Sequence, residues 1–306
     1  MPASQLNRIE VATKISEKLD QRMIDRSVTG WMTENAGDFE FRGNGVFRIP
    51  SIHTSGLGDY RKDLGYPIGS VTMTGVDYTL EYDRGRSFLL DAMDVDESNF
   101  VVKAARVMTT FNDENIVPEM DAVRFAKLAG IATAQSNVES GYTPAAATIY
   151  SKIVAAMYAV KEKGFDEVVA HVSGDVLAAL ASSTELNRYL RVDDWEAGRI
   201  YTKVQFIDDM PLIMTPSRRF YTAVDLLDGV TAGEEAGGYQ KASGAADINF
   251  MVIGRKVPAA VEKHETKTIL APGTHTLGDN WFLGTRVYHD LLVLDSRKDG
   301  VFMNTK

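Results

Sequence analysis

The sequence predicts an α+β fold, and three observations carry that reading. Stretches with helical periodicity and stretches with period-two alternation both occur, without the regular strand–helix–strand rhythm of a doubly wound sheet. The strand-like segments read as largely antiparallel, as where YTKVQFI and PLIM meet at an Asp208-Asp209 turn. Of 306 residues, 44% are hydrophobic and 25% charged, enough apolar material for one large domain or two of ordinary size.

The elements follow in chain order. Residues 4 to about 24 set Leu6, Ile9, Ile15, Leu19 and Met23 among charges at helical spacing, with no Gly or Pro to break them. This amphipathic helix packs either on its own domain or on a neighbouring subunit, and Gly30 and Gly37 loosen the chain after it. VFRIP (46–50) reads as extended. Residues 71–82 alternate, with Val76, Tyr78, Leu80 and Tyr82 on one side and Asp77, Thr79 and Glu81 on the other. Between them lies the polar, glycine-rich SIHTSGLGDYRKDLGYPIGS. Two strands around so long a tip make a protruding hairpin, which is marginal in isolation. It is either an assembly element that lies on another copy or an ordinary mobile hairpin.

Glu97 to about Phe111 has helical periodicity. Pro118 opens a second helical run, PEMDAVRFAKLAG, with Glu119 and Asp121 in its first turn and Gly130 closing it. Thr143-Pro144 reads as a cap and first position for a helix over AAATIYSKIVAAMYAVKEKG, ending at Gly164. EVVAHV reads as a strand, and DVLAALASS and ELNRYL as short helices. GVTAGEEAGGYQKASGAAD (229–247) reads as a flexible loop. NFMVIG, WFLGTRVYHDLLVLD and GVFM supply the closing strands.

Composition and motifs exclude much chemistry. There is no cysteine, so no disulfide, thiol nucleophile or thiolate-bound metal, which suits a reducing compartment. The N-terminal segment has no apolar stretch of a secretory signal, and no run is long enough to span a membrane as a helix. A formal net charge of −9 argues against wrapping nucleic acid, and the Arg61-Lys62 and Arg218-Arg219 pairs are too isolated to line a groove for it. No phosphate-binding P-loop occurs, and Gly56 and Gly58 do not join a strand to a helix as a dinucleotide site requires. HETKT lacks the second histidine a zinc site needs, and the five histidines (His53, His171, His264, His275, His289) stand singly. His171, Ser173 and Asp175 lack the nucleophile-elbow pattern around the serine. Asp193-Asp194 and Asp208-Asp209 read as solvated turns. The sequence therefore predicts no enzyme, no cofactor and no metal.

Four segments resemble the major capsid proteins of tailed bacteriophages with the HK97-type fold. YDRGRSFLLDAMDVDES (82–98) is similar to a segment that follows their extended loop, through Asp83, Arg84, Gly85, Arg86, Phe88, Asp91, Met93, Asp94 and Glu97. VPEMDAVRFAKLA (117–129) resembles the helix that comes next. MPLIMTPSRRF (210–220) resembles an extended stretch ending in proline and then an Arg-Phe pair, and VYHDLLVLDSRKDGVF resembles their strand-rich ending.

The resemblance implies an HK97-like capsid fold: an N-terminal arm (1–40), an extended hairpin or E-loop with flanking strands (41–92), a peripheral domain (93–143 and 271–306) and an axial domain (144–270). A spine helix over about 95–131 is expected, interrupted at Pro118. The implied function is a shell subunit that assembles with itself into pentamers and hexamers, enclosing double-stranded DNA in an icosahedral or prolate head. Assembly in the host cytoplasm, a separate scaffolding protein, a portal, and DNA nearby without sequence-specific binding are the implied setting; no membrane is involved. Tyr60, Arg61, Lys62, Asp63, Arg84, Arg86, Asp91 and Asp94 are the expected assembly contacts, with Arg84 and Arg86 pairing to carboxylates such as Asp83, Asp91 or Asp94, within the subunit or across its boundary. Some shells of this fold join a hairpin lysine to a neighbour's asparagine; Lys62 occupies such a place, but nothing in the spacing supports Asn280 or Asn304 as its partner. The rival readings are an encapsulin-like nanocompartment shell of the same fold and, more distantly, a hydrolase whose polar residues converge only in space.

Overall fold

The computed structural model describes residues 27–36, 46–63, 65–91, 100–183, 190–197, 200–270, 273, 274, 278 and 280–306. The expected N-terminal amphipathic helix, Met93, Asp94, Glu97, His275 and residues 185–189 of ELNRYL lie outside them. The long hairpin is present: β1 (Val46–Thr54) pairs antiparallel with β2 (Val71–Thr79), from Val46 opposite Thr79 to Thr54 opposite Val71. β1 runs past the proline at its expected end. In a two-stranded ribbon every strand has a free edge, so Pro50, opposite Gly75, is tolerated. At the root the alternation holds, with Leu80 buried and Tyr78 half-buried while Asp77, Thr79 and Glu81 face solvent. The chain turns at once into β3 (Tyr82–Asp91), which joins a different sheet.

The spine is a single rod. α1 (Phe100–Phe111) passes through a π-helical turn, Asn112–Ile116, into α2 (Val117–Ala134). The expected interruption at Pro118 does not occur, and the reason is local. Pro118 has no N–H to return to the preceding turn; the wider π turn ends just before it, with the Val117 N–H donating to the Asn112 carbonyl. Nor does Gly130 close the helix; it lies within α2, which stops at Ala134, where Ser136 adopts a left-handed φ of 58°.

β4 (Val138–Glu139) precedes α3 (Ile149–Lys161). Thr143-Pro144 is not its cap. The helix starts a turn later because the Thr148 and Ile149 N–H groups both donate to the Ala145 carbonyl. Its C-terminus is as expected, with Gly164 at φ +90°. β5 (Val168–Val172) leads into α4 (Gly174–Ala181). β6 (Leu190–Ala197) and β7 (Ile200–Ile207) are antiparallel, so Asp193 and Asp194 lie in mid-strand, opposite Val204 and Lys203, rather than in a turn. β8 (Met210–Met214) returns from the Asp208-Asp209 turn.

The segment 229–247 is not a plain loop. β9 (Val224–Leu227) and β10 (Gly238–Lys241) form a small hairpin over its first part, with Gly229, Gly237 and Gly238 at positive φ. β11 (Ile248–Gly254), β12 (Pro258–Leu270), β13 (Asn280–Val293) and β14 (Val301–Thr305) complete the chain.

A seven-stranded sheet in the order β4-β14-β11-β5-β8-β7-β6 forms the body. Every residue of β11 is buried, as its continuous apolar sequence requires of a central strand covered on both faces. Met251 and Ile253 pack with Phe125 and Leu128 of the spine, while Phe250 and Val252 pack with Ile153 and Met157 of α3. A second sheet, β12-β13-β3, links segments expected in three different regions: the hairpin, the axial portion and the C-terminal peripheral portion.

Candidate functional site

The hairpin tip is held mainly by itself. Ser55 and Ser70 close the strands, the Ser55 N–H donating to the Ser70 carbonyl at 3.0 Å, and Arg61 and Gly65 form a bridge, with Gly65 at φ +78°. Arg61 pairs with Asp63 at 3.0 Å, but both are exposed, and such pairs add little stability. Tyr60 and Tyr66 meet at 5.1 Å between ring centroids. Leu57, Tyr60, Tyr66 and Ile68 are exposed by 108%, 60%, 86% and 102%. Nothing on the described chain covers this apolar cluster.

The other expected contacts sit on β3, and alternation explains where they go. Arg84, Arg86 and Phe88 share one face, and Asp83 and Asp91 the other, so neither carboxylate can meet either arginine. Arg84 reaches the spine instead: its Nε donates to Glu119 Oε1 at 2.7 Å, and an Nη to the Leu227 and Gly238 carbonyls at 2.8 and 3.1 Å. Asp83 is taken by Arg286 of β13, the diagonal neighbour across the pair, at 2.7 Å. Within the subunit, Arg84 therefore pairs with Glu119 and Asp83 with Arg286 rather than with each other, while Asp94 lies outside the described residues. Asp91 is exposed at the end of β3. At Gly85 β3 and β13 leave no room for a side chain, since a Cβ there would stand 2.8 Å from the Thr285 carbonyl oxygen.

Arg86 is exposed and, among the described residues, donates only to the Glu235 carbonyl, at 3.0 Å. It stands at a cavity of about 270 Å³ between β3, the π turn of the spine and the β9–β10 hairpin. Phe88, Phe111, Met120 and Val287 give that cavity apolar walls, with Phe88 and Phe111 edge to face at 5.0 Å. His289 forms part of its lining; burial, then the charges of Arg124, Lys127 and Arg84, lower its pKa to about 3, so the ring is neutral.

The remaining sequence candidates do not converge. His171 is fully buried: its Nε2 accepts from Trp31 Nε1 at 3.2 Å, which leaves Nδ1–H to donate to Thr215 Oγ1 at 3.1 Å. Burial alone lowers its pKa to about 3. Ser173 caps α4 and Asp175 pairs with Lys306, so His171 is a structural link. Asn304 is buried between Asn249 and Glu139, which removes it from reach of any Lys62. Among the described residues no three His, Cys, Asp or Glu are placed to hold a metal ion, and no helix is long and apolar enough to cross a membrane.

One cluster was not anticipated. Asp121 accepts from Ser27 and Thr29 hydroxyls at 2.6 Å each and from Arg219 at 3.0 Å. Arg124 donates to Thr29 Oγ1 and to Glu262. The network clamps the chain leaving the N-terminal segment onto the spine, and it gives the Arg-Phe pair a purpose: Arg219 locks, and Phe220 packs on Phe125.

No protein-family model matches the chain, and no curated protein does. Solved structures do. A subunit from the asymmetric unit of the bacteriophage PhiM1 mature capsid matches with a TM-score of 0.56 at 15% identity, over 87% of this chain and 86% of that one. Chains from Microbacterium phage Oxtober96 and Gordonia phage Cozz both match with a TM-score of 0.53, at 13% and 12% identity. Each match covers 87% of this chain, with 88% and 82% of the respective phage chains. The fold is the HK97-type capsid fold.

Proposed function

We propose that this chain is the major capsid protein of a tailed phage, a structural subunit that builds a closed shell and catalyses nothing. The observation that carries the reading is the combination of that fold over most of the chain with a hairpin tip that leaves four large apolar side chains uncovered. A two-stranded ribbon is marginal by itself, and an exposed apolar cluster of this kind marks a surface that another surface covers. Head-to-tail contacts between copies close into rings when their rotation permits, and one subunit makes both pentamers and hexamers if its arms adjust. Many weak contacts acting together then hold the shell.

On this reading residues 1–40 are an arm, 41–92 the loop laid on the next copy, 93–143 with 271–306 the peripheral part, and 144–270 the axial part around the symmetry axes. The head is icosahedral or prolate and encloses double-stranded DNA, with a scaffolding protein and a portal as partners and the host cytoplasm as the place of assembly. The net charge of −9 suits a wall that holds packaged DNA without adhering to it.

Expression of the chain alone and with a scaffolding protein, followed by size exclusion and negative-stain electron microscopy, tests this. Rings or closed shells are expected. A stable monomer under every condition would overturn the reading. Boiling assembled particles in detergent is expected to give one monomer band, because nothing in the spacing supports a link from Lys62 to Asn280 or Asn304, and Asn304 is buried and committed to other partners.

A further inference from the structure

The hairpin tip and the β3 cavity have complementary needs. Each is incomplete on its own chain. The tip presents Asp59, exposed and without a partner among the described residues, beside the exposed ring of Tyr60. The cavity presents Arg86, which meets no carboxylate among the described residues, beside the apolar walls of Phe88, Phe111 and Met120. Arg84, by contrast, is neutralised by Glu119. Asp228, the other carboxylate at the rim, is held by the Val230 and Thr231 N–H groups and the Thr231 hydroxyl of its own turn.

Arg86 is also held in place. A Cβ on Gly229 or Gly237 would come within 2.7 or 3.1 Å of its Nη1, so the two glycines form a close cradle around the guanidinium. The π turn of the spine adds Asn115 and Ile116 to the cavity's lining.

Among the described residues, no tip side chain lines the cavity of its own subunit. β2 carries nine residues between tip and root, and at roughly 3.3 Å per residue this sets the two about 30 Å apart. The occupant that fits must come from elsewhere, and a second copy supplies both the charge and the ring.

We infer that the hairpin tip of one copy docks in the β3 cavity of another, the Asp59 carboxylate on the Arg86 guanidinium and the Tyr60 ring against Phe88, Phe111 and Met120. The inference rests on the shell reading and names the receiving surface within it. An aromatic ring beside a guanidinium and a charge-assisted hydrogen bond reinforce one another at such a contact.

Charge exchange tests it, with particle yield by sedimentation as the readout and wild type as the reference. Arg86→Glu and Asp59→Arg place like charges together and are each expected to lower the particle fraction by about tenfold. The double exchange D59R/R86E is expected to restore most of it. Asp59 is exposed and free of described partners, so D59R should leave the thermal midpoint of the dissociated subunit unchanged; R86E gives up the bond to the Glu235 carbonyl and should lower it slightly, and because D59R cannot restore that intrachain bond, recovery of particles in the double exchange separates docking from folding. Wild-type shells that form equally well from R86E or D59R subunits would overturn the docking and leave the shell reading intact. So would two defective single variants whose combination stays defective while the subunit midpoint holds. Wild type that forms no particle overturns the shell reading and the docking with it.

Discussion

Arg84 donates to a carboxylate on the spine and to two carbonyls of the β9–β10 hairpin, so three elements meet at one guanidinium. Truncating it to alanine leaves Glu119, only 13% exposed in its side chain, without its cation. Arg84→Ala is therefore expected to cost about 1–3 kcal/mol in urea unfolding of the subunit. Arg84→Lys should recover only part, because a point charge cannot serve three acceptors as a planar fork does. The buried histidines act through pH. His171 and His289 titrate near 3 in the fold against an ordinary 6.5, so below about 6.5 the unfolded chain takes up protons first. Stability is full above that value and falls by about 1.4 kcal/mol per pH unit for each histidine as pH drops toward 3. At pH 5 each share amounts to roughly 2 kcal/mol. His171→Gln should flatten the slope between pH 6.5 and 5 by one share, whatever it does to stability at pH 7; an unchanged slope would mean that His171 is not neutral in the fold.

The hairpin separates what a segment does for folding from what it does for assembly. No described contact ties Ser55–Ser70 to the body, so replacing residues 56–69 by an Asn-Gly turn should leave the subunit's unfolding free energy within about 0.5 kcal/mol of wild type. Particle formation should be lost, and a large drop in subunit stability would show instead that the tip lies on its own body. This hairpin was legible in the sequence because period-two alternation is a local signal, as was the apolar run of β11. The spine was misread at Pro118 because the rule for proline in helices is also local, and a π turn just before the ring escapes it. The Gly-rich 229–247 segment read as loop by composition, yet Gly229, Gly237 and Gly238 take the positive φ that its turn needs. The partners of Arg84 and Arg219 were out of reach for a different reason. Glu119 is 35 residues from Arg84 and Asp121 is 98 from Arg219, distances that only the packed fold closes. The β3 cavity needs four separate segments to exist at all, and no spacing in the chain announces it.

At the scale of the whole molecule, charge and contact compete. Each copy carries a formal net charge of −9, and a shell brings many copies within a few tens of ångströms of one another. Their repulsion is long-ranged and adds over neighbours, whereas an ion pair such as Asp59 with Arg86 acts once per contact and over a few ångströms. Salt screens the first far more than the second: the Debye length falls from about 30 Å at 0.01 M to about 8 Å at 0.15 M, still longer than a docked pair's separation. Apolar docking by Leu57, Tyr60, Tyr66 and Ile68 is not weakened by screening at all. The critical concentration for assembly should therefore fall as ionic strength rises over that range, measured by light scattering on subunits at fixed pH. A critical concentration that climbs with salt would place the driving force in ion pairs between copies, and the apolar tip would then be a passenger rather than the anchor.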